Sequence, residues 1–335
     1  MHYFRTLSIC VTAGMLAGCG GSSTATPSTA ALNGRYVGTT FSVNGWPVTA
    51  ARLSPLLTYA TILPDRHAKS KTFEYIFNEY DTYASIFDYP KSTKEIGTIA
   101  GDGGQGCTNV PYGYGKKIFW NVGGPDQITE YDVRKTPIKT LSIPGSFPTS
   151  CAMDANGDLA VGIYDGTASA SGGDIVIFKN ASGSGTVYTT PLDEEFFDGY
   201  DNQGNLFADG YIGYRSGFAL VELPKGSSKF VIIKTSNSVQ FPGSVQWDGT
   251  YLTVFDQIAN AIYQYTVRGT KAKLKGIVSL SAGDCAQTWI AIGVVLCADA
   301  DNNDGEVFNY PAGGSAVATL TGAFDLPLGV TAANK

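Results

Sequence analysis

Three observations predict an all-β chain built from a repeated unit. The first is composition: 335 residues include 41 Gly, 15 Pro, 19 Tyr and 17 Phe, against 23 Lys+Arg and 29 Asp+Glu. Short strands rich in aromatic and β-branched side chains, joined by tight turns, use residues in this way. The second is a strand that ends in an aromatic residue or Leu and recurs along the chain. The third is a set of Asn-Gly, Gln-Gly and Asp-Gly turns placed before that strand. The 43% of hydrophobic residues is enough for a sizeable core and excludes a disordered chain. Gly and Pro at this level would interrupt a long helical fold repeatedly. The net charge of -6 argues against nucleic acid as a partner, because that partner needs clustered Lys and Arg.

Residues 1–18 form an export signal. Arg5 supplies its positive region, and residues 7–16 (LSICVTAGML) form an apolar run too short for a permanent membrane span. The run leads to Leu16-Ala17-Gly18-Cys19, which resembles the lipobox of bacterial lipoproteins. That resemblance implies that the Cys19 thiol receives diacylglycerol and becomes the new N-terminus. Residue 20 is Gly and not Asp, which in such lipoproteins favours the outer membrane in a cell with two membranes. Residues 19–34 (CGGSSTATPSTAALNG) are a lipidated Cys and flexible tether, and 35–69 an arm before the repeats. No other stretch approaches spanning length, so the expected state is an exported protein anchored to the cell envelope by lipid.

With Cys10 removed and Cys19 lipidated, Cys107, Cys151, Cys285 and Cys297 remain. An even number in an oxidising compartment suggests two disulfides, and four cysteines allow three connectivities. There is no CxxC, which leaves zinc and thioredoxin-like chemistry poorly supported.

The recurring strand ends at Tyr89, Tyr131, Phe178, Leu223, Tyr265 and Tyr310, with spacings of 42, 47, 45, 42 and 45 residues. A period near 44 is that of a four-stranded propeller blade. Upstream of the anchor strand come turns such as Asp154-Ala155-Asn156-Gly157, Asp201-Asn202-Gln203-Gly204 and Asp248-Gly249. Glycine there supplies the positive φ of a tight hairpin. Each unit therefore reads as inner strand, turn, second strand, loop, anchor strand, turn and outer strand. The first unit lacks its inner strand, and residues 326–335 offer an inner strand with nothing after it. The C-terminal strand is expected to close the first blade, which removes two exposed sheet edges.

On these repeats and on ends such as Tyr310-Pro311-Ala312-Gly313-Gly314, residues 70–335 resemble six-bladed NHL-type β-propellers, in particular those of secreted bacterial lipoproteins without an assigned function. The expected fold is an all-β, six-bladed β-propeller of four-stranded blades behind a lipoprotein signal and tether. Such motifs specify fold far better than activity. In two copies Tyr112-Gly113-Tyr114-Gly115 and Ile290-Ala291-Ile292-Gly293 replace the acidic turn. The repeat also places the cysteines. Cys107 and Cys151 stand one period apart on neighbouring inner strands, and Cys285 and Cys297 flank one hairpin, so 107–151 and 285–297 are the expected pairs.

Candidate chemistry is sparse. His2 leaves with the signal and His67 stands alone, so neither a multi-His metal site nor a Ser-His-Asp triad can be assembled in the ring. Asp299, Asp301, Asn303 and Asp304 form a weak candidate calcium loop, because Gly305 falls out of the EF-hand register. Asp154, Asp201 and Asp248 fit the turns, where Asp accepts backbone N–H bonds, while Asp198 and Asp284 lack that explanation. Trp46, Trp120 and Trp289 fall outside the anchors and are candidates for an exposed sugar-stacking surface. The expected role is a binding or interaction scaffold at the cell envelope. It would take an unknown protein or carbohydrate ligand, use no cofactor, touch the membrane through its lipid, bind no nucleic acid and be monomeric. The alternatives are a metal-dependent hydrolase or lyase, lactonase-like, with its site in the central channel, and a structural subunit of an envelope complex.

Overall fold

The computed structural model describes residues 40–43, 46–49, 72–78, 83–100, 105–120, 127–133, 137–143, 146–166, 172–213 and 217–334. The chain divides into two units, 1–58 and 59–335. The described part of the first is an antiparallel hairpin of β1 (Thr40–Val43) and β2 (Trp46–Thr49). The export signal, Cys19, the tether, His67 and most of the arm lie outside the described residues, as does the side chain of Trp46.

The second unit runs through β3 (Thr72–Asn78), β4 (Tyr83–Phe87), β5 (Glu95–Ala100), β6 (Gly106–Thr108), β7 (Lys117–Trp120), β8 (Gln127–Asp132) and β9 (Pro137–Ser142). It continues with β10 (Ser146–Met153), β11 (Leu159–Gly166), β12 (Ile175–Phe178), β13 (Thr186–Tyr188), β14 (Glu194–Tyr200), β15 (Leu206–Ile212), β16 (Gly217–Leu223) and β17 (Val231–Thr235). The last strands are β18 (Val245–Trp247), β19 (Leu252–Asp256), β20 (Ala261–Arg268), β21 (Lys271–Ser279), β22 (Cys285–Ala291), β23 (Val294–Asp299), β24 (Asp304–Asn309), β25 (Ala318–Leu320) and β26 (Pro327–Asn334).

Four sheets have four strands each, in the orders β26-β3-β4-β5, β6-β7-β8-β9, β10-β11-β12-β13 and β22-β23-β24-β25. Where six separate blades were expected, the fifth sheet has eight strands, β14-β15-β16-β17-β21-β20-β19-β18. It consists of two antiparallel quartets joined by a parallel contact between β17 and β21, with Lys234 opposite Lys271 and Thr235 opposite Ala272. The sequence pattern carries no signal for that seam, which rests on backbone groups at two strand ends. Single parallel bridges of the same kind, Lys94 with Thr321 and Leu280 with Gly314, join outer-strand ends elsewhere.

The anchors fall on or just past the third strand of each quartet. Tyr131, Phe178, Leu223 and Tyr265 lie in β8, β12, β16 and β20 and are buried. Tyr89 and Tyr310 stand just past β4 and β24, because the Pro that follows each has no N–H with which to continue the ladder. The core lies where sheet faces meet: Trp120 stacks against Phe77 and Tyr131 at centroid distances of 5.1 and 6.0 Å. Trp120 is wholly buried, and Trp289 is buried with its Nε1–H donated to the Gly113 carbonyl at 3.0 Å. Both are packing residues, and neither candidate for an exposed stacking surface is exposed.

The acidic turns form as the sequence implies. Asp154 Oδ1 accepts the N–H groups of Asn156 and Asp158, both at 2.8 Å. Asp201 takes those of Gln203 and Asn205, and Asp248 those of Thr250 and Tyr251. In β22–β23 the reversal falls at Ile292-Gly293, and Gly293 supplies the positive φ (80°). Finally, β26 pairs antiparallel with β3, from Pro327 opposite Asn78 to Asn334 opposite Thr72. The C-terminal strand therefore completes the first sheet.

Candidate functional site

The inner strands β26, β6, β10, β14, β18 and β22 are tied to one another by side chains that recur at the repeat spacing. Cys107 on β6 is bonded to Cys151 on β10, at a sequence separation of 44. Thr149 and Ser150 on β10 donate hydroxyls to Glu195 on β14, at 3.0 and 2.8 Å. Between β14 and β18 there is no room for a side chain, since a Cβ at Gly199 would lie 2.3 Å from the Val245 carbonyl oxygen. Next, Ser244 Oγ accepts the Thr288 N–H at 2.8 Å, and the Gln246 amide pairs with both backbone groups of Ile290. Gln287 Oε1 accepts the Val330 N–H at 2.9 Å, and Gln287 Nε2 donates to the Gly106 carbonyl. Cys285 and Cys297 form the second disulfide, within one sheet across β22 and β23. Both expected pairs are thus present.

These side chains converge on a cavity of about 20 Å³, lined from β10, β14, β22 and the chain entering and forming β18. That is room for about one water-sized sphere. Most polar groups around it are consumed by the ties just described. Asp198 is the exception: it is buried, lines the cavity, and neither carboxylate oxygen meets a donor in bonding geometry. Burial pushes its carboxyl well above the usual range, offset in part by the nearby Ser150 hydroxyl and its own backbone N–H. Glu195 is wholly buried beside it and is raised by burial first and by the Asp198 charge second. On the adjacent strand, Asp209 is raised chiefly by burial and accepts the Gly243 N–H at 3.1 Å.

Sequence spacing obscures this trio. Glu195 and Asp198 are three apart, and alternation in a regular strand would send them to opposite faces. A bulge at Phe196, where Glu195 faces Gly210 and Phe197 faces Asp209, brings them together. The run Asp193-Glu194-Glu195 at the start of β14 is the available signal.

The other candidates resolve differently. Asp299 does not present a free ligand set. Its carboxylate accepts the N–H groups of Gly283, Asp284, Asp301 and Asn302 and the Asn302 side-chain amide. Asn303 Oδ1 accepts the Leu326 N–H, which leaves Asp301 and Asp304 as flanking groups. The loop is a backbone clasp, and Asp256 repeats it by accepting the N–H groups of Gln240, Ile258 and Ala259. Cys297, Asp299 and Glu306 lie within metal-binding distance of one another, but Cys297 is committed to its disulfide. Burial, together with Asp299, raises Asp304 to about 6 and Glu306 to about 7. Asp284 stands just before β22 and donates its N–H to Asp299.

The aromatic group that the sequence did not single out is Tyr164, Phe196, Tyr211 and Phe241. These rings pack edge to face at centroid distances of 5.4–5.8 Å where β11 and β15 end and β14 begins. Phe196 and Tyr211 are half-buried.

No protein-family model matches the chain, and no curated protein matches its sequence. Solved structures do. A Bacteroides caccae protein of unknown function has a TM-score of 0.59 at 10% identity, over 79% of this chain and 100% of its own. A chain of the nidogen/laminin complex has a TM-score of 0.59 at 12% identity, over 78% of this chain and 98% of its own. A 6-phosphogluconolactonase candidate from Bacteroides uniformis has a TM-score of 0.53 at 10% identity, over 78% of this chain and 100% of its own. The fold is a β-propeller. Identities this low carry the propeller architecture and nothing of activity. Among the described residues, no helix is long and apolar enough to cross a membrane.

Proposed function

We propose that this propeller is an exported lipoprotein, anchored through Cys19, that acts as a binding scaffold at the cell envelope. The small cavity among the inner strands carries this reading. It is lined from β10, β14, β18 and β22 and holds about 20 Å³, too little for an organic substrate. The buried carboxylates beside the cavity come from a single hairpin, β14–β15, whereas a lactonase-like metal centre would need inward carboxylates from several blades. Recognition then falls to the ring faces and rim, where the half-buried Phe196 and Tyr211, backed by the buried Tyr164 and Phe241, offer an aromatic contact for a protein or carbohydrate ligand.

The eight-stranded sheet counts here as two blades, giving an NHL-like ring of six. Its parallel seam joins the end of one outer strand to the start of the next, as the Lys94–Thr321 bridge does, and is only one residue pair longer. The disulfides fit an oxidising compartment.

Two experiments test the reading. Metabolic labelling with palmitate should mark the wild-type protein in the membrane fraction, and Cys19→Ser should lose the label and the membrane association. Cross-linking in intact cells should capture a defined partner or glycan, with capture weakened by the paired substitutions Phe196→Ala and Tyr211→Ala. Capture unaffected by that pair, together with turnover of a lactone or ester, would refute the scaffold.

A further inference from the structure

We propose that Asp198 holds a single hard cation on the propeller axis. Around the axial cavity Gln246, Gln287 and Ser244 are each engaged with backbone of a neighbouring inner strand, and Ser150 donates to Glu195. Asp198 faces the same cavity with two oxygens outside any hydrogen bond and with 5% of its surface exposed. A buried carboxylate without donors is costly unless something positive or a proton meets it. Glu195 and Asp209 add two more acids in electrostatic contact, and no ion pair among the described residues reaches any of the three.

The cavity selects the partner. At about 20 Å³ it takes one bare ion or one water and nothing larger. The donors are oxygens: the Asp198 carboxylate and the hydroxyls of Ser150 and Ser244, which keep lone pairs after the bonds described. Such a set suits a hard cation of the calcium class, not a thiophilic metal, and Cys151 at the cavity wall is closed off in its disulfide. A cation there would bind strands of several blades at one point and stabilise the ring. The site is separate from the Asp299 loop, whose carboxylate is occupied by backbone N–H groups.

The test uses the mature chain after chelation and dialysis. Adding Ca²⁺ at about 100 times its Kd should raise the Tm by roughly 5 °C. Asp198→Asn should abolish that rise and be more stable than the metal-free wild type, because it removes an uncompensated buried charge. Asp299→Asn should keep the rise. A second readout needs no variant. Trp289 lines the cavity, so Tb³⁺ bound there should show indole-sensitised emission that saturates at one ion per chain and is displaced by Ca²⁺. The proposal is overturned if neither Ca²⁺, Mg²⁺, Mn²⁺ nor Na⁺ shifts the wild-type Tm. It is equally overturned if Asp198→Asn keeps the shift, or if Tb³⁺ gives no sensitised emission. In those cases a proton, and not a metal, neutralises Asp198.

Discussion

Glu74 should make this protein less stable as pH rises through neutrality. It lies on β3 and is wholly buried, with Oε2 accepting the Tyr89 N–H at 3.0 Å and Oε1 without a donor. Burial pushes its carboxyl up to about 8, the Tyr89 N–H and its own N–H pull it back in part, and the Asp88 charge raises it further. In the unfolded chain the group titrates at its ordinary value of 4.5. Because the folded value is the higher one, the folded state binds more protons between the two. That stabilising contribution is complete below 4.5 and is lost progressively as pH climbs to about 8. At ~1.4 kcal/mol per pH unit the interval corresponds to a ceiling of ~5 kcal/mol, and relaxation around the charge reduces the expected effect to about half. Glu74→Gln keeps the shape and removes the titration. Urea unfolding under non-reducing conditions, at acidic, neutral and mildly alkaline pH, measures the difference. The variant should match wild type at acidic pH and exceed it by about 2–3 kcal/mol at alkaline pH. Asp198, Glu195 and Asp209 contribute a slope of the same sign to both proteins, so the quantity to read is the gap between them. A gap that stays constant with pH would refute the reasoning and show that water reaches and solvates the Glu74 charge.

Two further outcomes follow from the way the ring is held. Deleting residues 327–334 uncovers the edge of β3 and removes the buried Leu328, Val330, Ala332 and Ala333, so the truncated protein should lose cooperative unfolding and aggregate, as seen by size-exclusion chromatography and near-UV circular dichroism. Replacing Cys107 and Cys151 by Ser should cost ~4 kcal/mol and replacing Cys285 and Cys297 ~3 kcal/mol, since the loops they close differ in length (separations of 44 and 12), and guanidinium midpoints should rank accordingly.

Much of the architecture is legible in the residues. Asp154, Asp201 and Asp248 announce their turns because a carboxylate two residues ahead of free backbone N–H groups has one favourable use, and all three are found in it. The anchors Tyr131, Phe178 and Tyr265 mark buried third strands because a large ring repeated at one period needs the same pocket in every sheet. The cysteine pairs follow from the same registration. The site was less legible. A strand-period reading separates Glu195 from Asp198, and only the extra residue at Phe196 places them together. Trp120 and Trp289 escaped the repeat because they fill gaps between sheets, where position depends on neighbours distant in sequence: Phe77 for one and Gly113 for the other. The β17–β21 seam depends on backbone groups alone, which every residue but Pro supplies.

The pairing of β26 with β3 also sets a timetable. Thr72 and Asn334 are opposite one another, so the first strand of the ring to be made waits for the last. During synthesis from the N-terminal end, β3, β4 and β5 form a three-stranded fragment with the backbone of β3 open, while every later sheet can find its own inner strand at once. The ring should therefore mature last at its beginning. Among the described strands, Thr72–Asn78 is the stretch that a chaperone guarding the nascent protein would have to shield until the final eight-residue strand arrives.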